Sequence, residues 1–247
     1  MFQFKQFTIH QDRTAMKVGT DGVLLGAWAP IHSDVTRLLD IGTGTGLISL
    51  MLAQRYPLLN ITAIDIDKDS IEQAAENIKN SPFAQQITTQ HTALQDYNSN
   101  ENFDAIVCNP PYFVASLKCP DSARTQARHT DSLSFDDLLF HSARLLRPNG
   151  SLSVVLPVQE GNQLIKLAPK YEFLLTELVH VHPTPTSAPK RLLIHFLKEP
   201  ILSSQLSTLN SLTKDSKTFD SQLTIEIARH QYTPEYIALT RDFYLKM

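Results

Sequence analysis

The chain has two cysteines, one tryptophan, no internal repeat and no excess of charge of either sign. Each scarcity excludes something. Cys108 and Cys119 form neither a CxxC pair nor a disulfide framework, and Cys108, closing an apolar run, reads as a small buried residue. No apolar run reaches the roughly 20 residues of a membrane helix. The first residues, MFQFKQFTIHQDR, carry charges where a signal peptide needs an apolar stretch. A reducing bacterial-type cytoplasm is therefore the expected location. Nine histidines fall in no metal-ligand spacing such as HExxH, so no metal is expected. The net charge of −3 exerts no global pull on nucleic acid.

What the chain does have is 247 residues of ordinary globular composition, 42% hydrophobic and 19% charged, enough to bury one full core. RLLDI (37–41), ITAID (61–65), QITTQ (86–90), FDAIVC (103–108) and SLSVVLP (151–157) read as strands, with further strands near 171–181 and 191–197. Helical apolar spacing covers 46–55, 69–80 and the stretch from SFDD at 134 to Leu146, with another helix near 159–168. Ser134 and Thr233 are N-cap candidates, the latter followed by Pro234, and Thr20 with Asp21 also fits a helix start. LTIEI, near 223, reads as a short strand between a polar connection over 200–222 and the last helix. The alternation predicts an open, doubly wound, mostly parallel α/β sheet.

LLDIGTGTG places Gly42, Gly44 and Gly46 between a strand and a helix, at the carboxyl edge where such sheets bind ligands. The spacing is G-x-G-x-G. It departs from the dinucleotide fingerprint, and no Lys-Ser or Lys-Thr follows to make a phosphate-binding P-loop. Asp65 ends the next strand, where a carboxylate can accept both hydroxyls of a ribose. Asp67 either assists it or caps the following helix, and Asp96, after the third strand, reads as a surface acid or as a further ligand contact.

CNPPYF (108–113) ends the fourth strand. An exocyclic or amide nitrogen is a poor nucleophile because its lone pair is delocalised. Two acceptors aimed at its hydrogens favour the tetrahedral geometry that frees that lone pair. Asn109 supplies one acceptor with its side-chain oxygen and Pro110 another with its carbonyl, whose direction is restrained because Pro111 follows. Tyr112 offers a face on which a planar base stacks, worth about 1–3 kcal/mol. Pro111 and Phe113 complete the substrate side. Two locally basic stretches, with Arg124 and Arg128 in one and Lys190 and Arg191 in the other, are candidates for phosphate contacts or for plain solvated charge. The aromatic residues of MFQFKQF read as core packing, with nucleic-acid contact the alternative, and Trp28 reads as core or as ligand-pocket wall.

The glycine turn resembles motif I of the class I S-adenosylmethionine-dependent methyltransferases, and NPPY resembles motif IV of those that modify exocyclic or amide nitrogens. The resemblance implies a seven-stranded Rossmann-like sheet, with S-adenosylmethionine as cofactor. It further implies that Asp40 faces the cofactor's cationic amino group, with Gly42, Gly44, Gly46, Asp65 and Asn109 around it. MKVGTDGVLLGAWAP (16–30), ARHTDSLSFDDLL (127–139) and YTPEYIALTRDFYLKM (232–247) extend the likeness to a bacterial family of tRNA adenine-N6 methyltransferases. Its members act just 3′ of the anticodon, at position 37 of a valine tRNA. On this basis the chain is expected to be one methyltransferase domain and a monomer: an N-terminal extension (1–36), a Rossmann-like core (37–198) and a C-terminal strand and helix (199–247). A glutamine-amide protein methyltransferase shares NPPY but usually carries a helical domain ahead of the glycine turn, for which 36 residues are too few. A non-catalytic tRNA-binding adaptor would not need Asn109, Pro110 and Tyr112 together.

Overall fold

The computed structural model describes residues 1–14, 16–111, 133–199 and 218–246. A short antiparallel pair, β1 (Phe2–Gln3) and β2 (Thr8–Ile9), precedes helix α1 (Thr20–Trp28). Then come β3 (Arg37–Ile41), α2 (Leu47–Arg55), β4 (Asn60–Asp65), α3 (Lys68–Lys79), β5 (Ile87–His91) and β6 (Phe103–Cys108). After the undescribed stretch follow α4 (Phe135–Leu145), β7 (Leu146–Pro157), α5 (Val158–Leu167), β8 (Phe173–His182) and β9 (Arg191–Lys198). β10 (Phe219–Thr224), a small ribbon of β11 (Glu226–Ala228) and β12 (Gln231–Tyr232), and α6 (Pro234–Thr240) complete the order.

One sheet organises the molecule, in the order β10-β8-β9-β7-β6-β3-β4-β5. Every neighbouring pair in it is parallel except those of β9, which runs antiparallel between β7 and β8. The doubly wound α/β fold is as expected, with one strand beyond seven. LTIEI does not form a single short strand. Residues 219–224 extend the edge beside β8 in parallel, and Glu226 begins a separate ribbon.

Side chains alternate across the sheet, so each strand feeds two cores. On β3, Leu38 packs with α1, α2 and α3, while Leu39 and Ile41 pack with α4 and α5. Helix α1 is buried along most of its length, and its close approach to α2 depends on two glycines. A Cβ on Gly26 would lie 2.8 Å from the Met51 sulfur, and one on Gly22 would lie 3.1 Å from a Leu47 methyl. This packing sets the N-terminal end of α1 beside the start of α2. Phe4 and Phe7 are buried in the same core, the packing role assigned to them, and Trp28 is partly buried with its ring edge-on to His195 at 6.4 Å.

Caps follow side-chain chemistry. Ser134 Oγ accepts the Asp137 N–H at 3.0 Å to start α4, and Thr233 Oγ1 accepts the Tyr236 N–H at 3.2 Å to start α6. Asp67 caps α3 by accepting the Ser70 N–H at 2.9 Å. At α1 the expectation is corrected: the N-cap position is Gly19, which has no side chain to cap with, and Thr20 is already helical.

Candidate active site

Register builds the site. Ile41 on β3 pairs with Ile64 on β4 and Cys108 on β6, so the next residues along the carboxyl edge are Gly42, Asp65 and Asn109. By alternation this row belongs to the α1 side of the sheet. Asp65 and Asn109 flank β3 from either side, roughly 10 Å apart at two strand spacings, and Gly42 between them carries no side chain. Asp40 lies two residues back on the same face.

The glycine turn has the conformation its composition demands. Gly42, Gly44 and Gly46 have φ of 68°, 57° and 81°, the left-handed region that side chains disfavour. A Cβ added at Gly42 or Gly44 would meet nothing within 4 Å. Packing therefore does not exclude a side chain there; backbone conformation does, and the space above is left open. The turn is tied from below, with the Gly42 and Thr43 amides donating to the Ile64 carbonyl at 2.9 and 3.0 Å. Asn77 of α3 holds it laterally, donating to the carbonyls of Thr45 and His10 and accepting the His10 N–H, all at 2.9 Å. Sequence reasoning passed over Asn77. Its signal was an amide on the apolar face of α3, between Ala74 and Ile78.

The carboxylates are unevenly satisfied. Asp65 accepts the Gly44 N–H at 2.8 Å and the Asp67 N–H at 2.9 Å, and partial burial raises its pKa. Asp40 is fully buried; one oxygen accepts the hydroxyls of Thr43 and Ser49 at 2.7 and 2.6 Å. Its other oxygen, Oδ1, is buried with no partner, and burial pushes the pKa up to about 6. Asn109 shows the same incompleteness: its Oδ1 is buried and, among the described residues, accepts nothing. Unpaired buried acceptors are uncommon in native proteins and call for an explanation. Pro110 is buried beside Asn109 and Pro111 is exposed.

A cavity of about 520 Å³ opens here, lined by the glycine turn, Asn109, residues 16–22 leading into α1, and the β8–β9 edge with Lys190 and Arg191. Arg191 is not an isolated charge, since its Nε donates to Asp21 Oδ2 at 2.7 Å across the cavity wall. Asp40 and Asp65 are absent from the cavity's lining although both lie beside the turn. Tyr112, Phe113, Arg124 and Arg128 lie outside the described residues. Asp96 is exposed, the surface position expected of it. Among the described residues no group of three or more His, Cys, Asp or Glu side chains is placed to hold a metal, and no helix is long and apolar enough to cross a membrane.

Comparison with known proteins decides the family. The methyltransferase small domain family matches residues 23–168, from α1 to the end of α5. A protein of Parabacteroides distasonis named tRNA1(Val) (adenine(37)-N6)-methyltransferase is 50% identical over 100% of this chain and 98% of its own. This chain belongs to that family. A Phocaeicola vulgatus protein of the same name is 48% identical over 100% of the chain and 98% of its own. Family members thus match both the N-terminal segment that walls the cavity and the C-terminal helix, regions beyond the small domain. Among solved structures, the crystal structure of a predicted O-methyltransferase from Agrobacterium tumefaciens has a TM-score of 0.64. It covers 90% of this chain and 96% of that one, at 18% identity, a likeness of fold alone.

Proposed function

We propose that this protein transfers a methyl group from S-adenosylmethionine to N6 of an adenine in the anticodon loop of a tRNA, adenine 37 of tRNA1(Val). The observation that carries the reading is the unpaired, buried Oδ1 of Asn109 beside an open glycine turn, in a chain whose full-length relatives bear that name. A protein that only held RNA would gain nothing from an orphaned acceptor, which costs about 1–3 kcal/mol to leave buried.

The residues present fit the cofactor. The space above Gly42 and Gly44 admits a ligand close to the backbone. Asp40 Oδ1 lacks a donor, which a cationic amino group supplies. Asp65 keeps lone pairs beyond its two backbone bonds, enough for ribose hydroxyls. Held there, S-adenosylmethionine would supply an electrophilic sulfonium methyl, would leave as neutral S-adenosylhomocysteine, and the displaced N6 proton would pass to solvent.

On the substrate side, Asn109 Oδ1 and the Pro110 carbonyl accept the two N6 hydrogens and turn the lone pair toward the methyl group. Their effect is positional and electrostatic, because both are fixed by the end of β6 before substrate arrives. Tyr112 stacks on the extruded base, with Pro111 and Phe113 beside it, and a loop base costs less to unstack than a paired one. Arg124, Arg128, Lys190 and Arg191 are the candidate contacts to the RNA backbone. The test is methyl transfer from labelled S-adenosylmethionine to total tRNA from a strain lacking the gene, with product nucleosides resolved by mass spectrometry. N6-methyladenosine beside the anticodon of a valine tRNA is the expected product. Label on guanine N2 or protein glutamine, with adenine untouched, would refute the substrate.

A further inference from the structure

The cavity wall carries two ammonium groups with no acidic partner among the described residues. Lys17 lies in the segment leading into α1, Lys190 immediately precedes β9, and both are exposed and line the cavity. Among the described residues neither side chain makes an ion pair. Arg191, next to Lys190, is built in differently. Its half-buried guanidinium pairs with Asp21 and also donates to the Lys190 carbonyl at 2.9 Å. It joins the start of β9 to the first turn of α1, the two elements that the lysines precede. On a protein of net charge −3, two uncompensated cations at one cavity mouth make a local preference for anions. The acids nearest the glycine turn, Asp40 and Asp65, do not line that cavity.

We propose that Lys17 and Lys190 form a two-point clamp on the RNA phosphates flanking the target adenosine, and that Arg191 is the strut holding the two sides of the clamp. The inference rests on tRNA being the substrate. It keeps Lys190 as a phosphate contact, pairs it with Lys17 near the N-terminus, and makes Arg191 a support in place of a contact. Phosphate neutralisation releases counterions, so a phosphate ligand and a strut differ in salt dependence. Each clamp lysine contributes about 0.7–0.9 to the slope of log affinity against log salt. The strut contributes none of its own.

The experiment is fluorescence anisotropy of labelled full-length valine tRNA over a salt series, with S-adenosylmethionine affinity measured in parallel by calorimetry. Lys17→Ala and Lys190→Ala should each weaken tRNA binding about tenfold at low salt. Each should also shed about 0.7–0.9 of slope while leaving cofactor affinity unchanged. Lys17→Arg and Lys190→Arg should bind as the unaltered protein does. Arg191→Ala should weaken tRNA binding with the slope retained. Loss of cofactor affinity in Lys17→Ala, with the tRNA slope intact, would overturn the clamp and assign Lys17 to the cofactor. Slope lost in Arg191→Ala but kept in the lysine variants would overturn it as well. Methylation of tRNA with every slope unchanged sinks the clamp and leaves the reaction standing. Binding without methylation, with slopes falling as stated, supports the clamp and removes the reaction. No tRNA binding at all overturns both.

Discussion

Asp40 gives the sharpest quantitative test of the site. Its carboxyl is pushed from an ordinary 3.8 to about 6, because burial penalises the charged form more than the hydroxyls of Thr43 and Ser49 favour it. One pKa unit corresponds to 1.36 kcal/mol, so ionising Asp40 costs the folded, ligand-free protein about 3 kcal/mol. That is a large share of the roughly 5–15 kcal/mol that holds a typical domain together. Between 3.8 and about 6 the folded state retains a proton that the unfolded chain has released. Stability is therefore fully present below that window and is lost as pH rises through it. Asp40→Asn cannot ionise, so urea unfolding of both proteins from pH 4 to pH 8 isolates the effect. The variant should gain about 3 kcal/mol relative to the unaltered protein across the range, and any constant offset from the amide cancels. Cofactor binding should show the converse: affinity for S-adenosylmethionine falls below pH 6, by up to about tenfold per pH unit, because the proton on Asp40 must leave first. Parallel unfolding curves would mean that Asp40 ionises normally. A cofactor affinity flat from pH 5 to pH 7 would mean that the orphaned oxygen meets no cation.

Three other substitutions separate the roles. Asn109→Ala should lower kcat about 10²–10³-fold while cofactor affinity by calorimetry stays close to that of the unaltered protein; a tenfold loss of affinity would move Asn109 to the cofactor side. Asp65→Ala should do the reverse, weakening S-adenosylmethionine about tenfold or more as charge-assisted bonds are lost, and an unchanged dissociation constant would remove it from the ribose. Gly44→Ala should cost about 1–2 kcal/mol in urea unfolding for its left-handed φ and should abolish measurable cofactor binding by filling the open space. A destabilised variant that still binds would put the cofactor elsewhere.

The parts of the site that were legible in the sequence are those encoded where a strand ends. Gly42 and Asn109 directly follow apolar strands and Asp65 ends one, and parallel pairing turns three separate strand ends into one row. The caps at Ser134 and Thr233 were legible for a similar reason, since donor and acceptor are three residues apart. What was not legible depends on partners far along the chain. Nothing near Arg191 indicates Asp21, 170 residues away, and nothing in LTIEI says that its first two residues will pair in parallel with β8 together with the four before them. Thr20 looked like a cap because its hydroxyl suits one. Gly19 takes the position, and the exposed start of α1 is left to line the cavity.

The two orphaned acceptors also explain why stability is spent here. The hydroxyls of Thr43 and Ser49 both donate to Oδ2 of Asp40 and, among the described residues, Oδ1 is left bare. Asn109 sits at the end of a fully buried strand, where nearly every backbone group is paired, and its side-chain oxygen is not. Each is an acceptor: Asn109 lines the cavity above the glycine turn, and Asp40 is buried beside that turn. A methyl donor with a cationic amino group and an adenine with two N6 hydrogens both arrive as donors. The complementarity is of sign as well as shape, so ligand binding completes hydrogen bonding that folding leaves undone. A substrate offering an acceptor at the same place, such as inosine with its carbonyl at position 6, would leave Asn109 unpaired and face a second lone pair. Methyl transfer to an inosine-substituted anticodon loop should therefore be undetectable in the nucleoside assay, and binding should weaken; tight binding of that loop would show that Asn109 Oδ1 does not read the amino group.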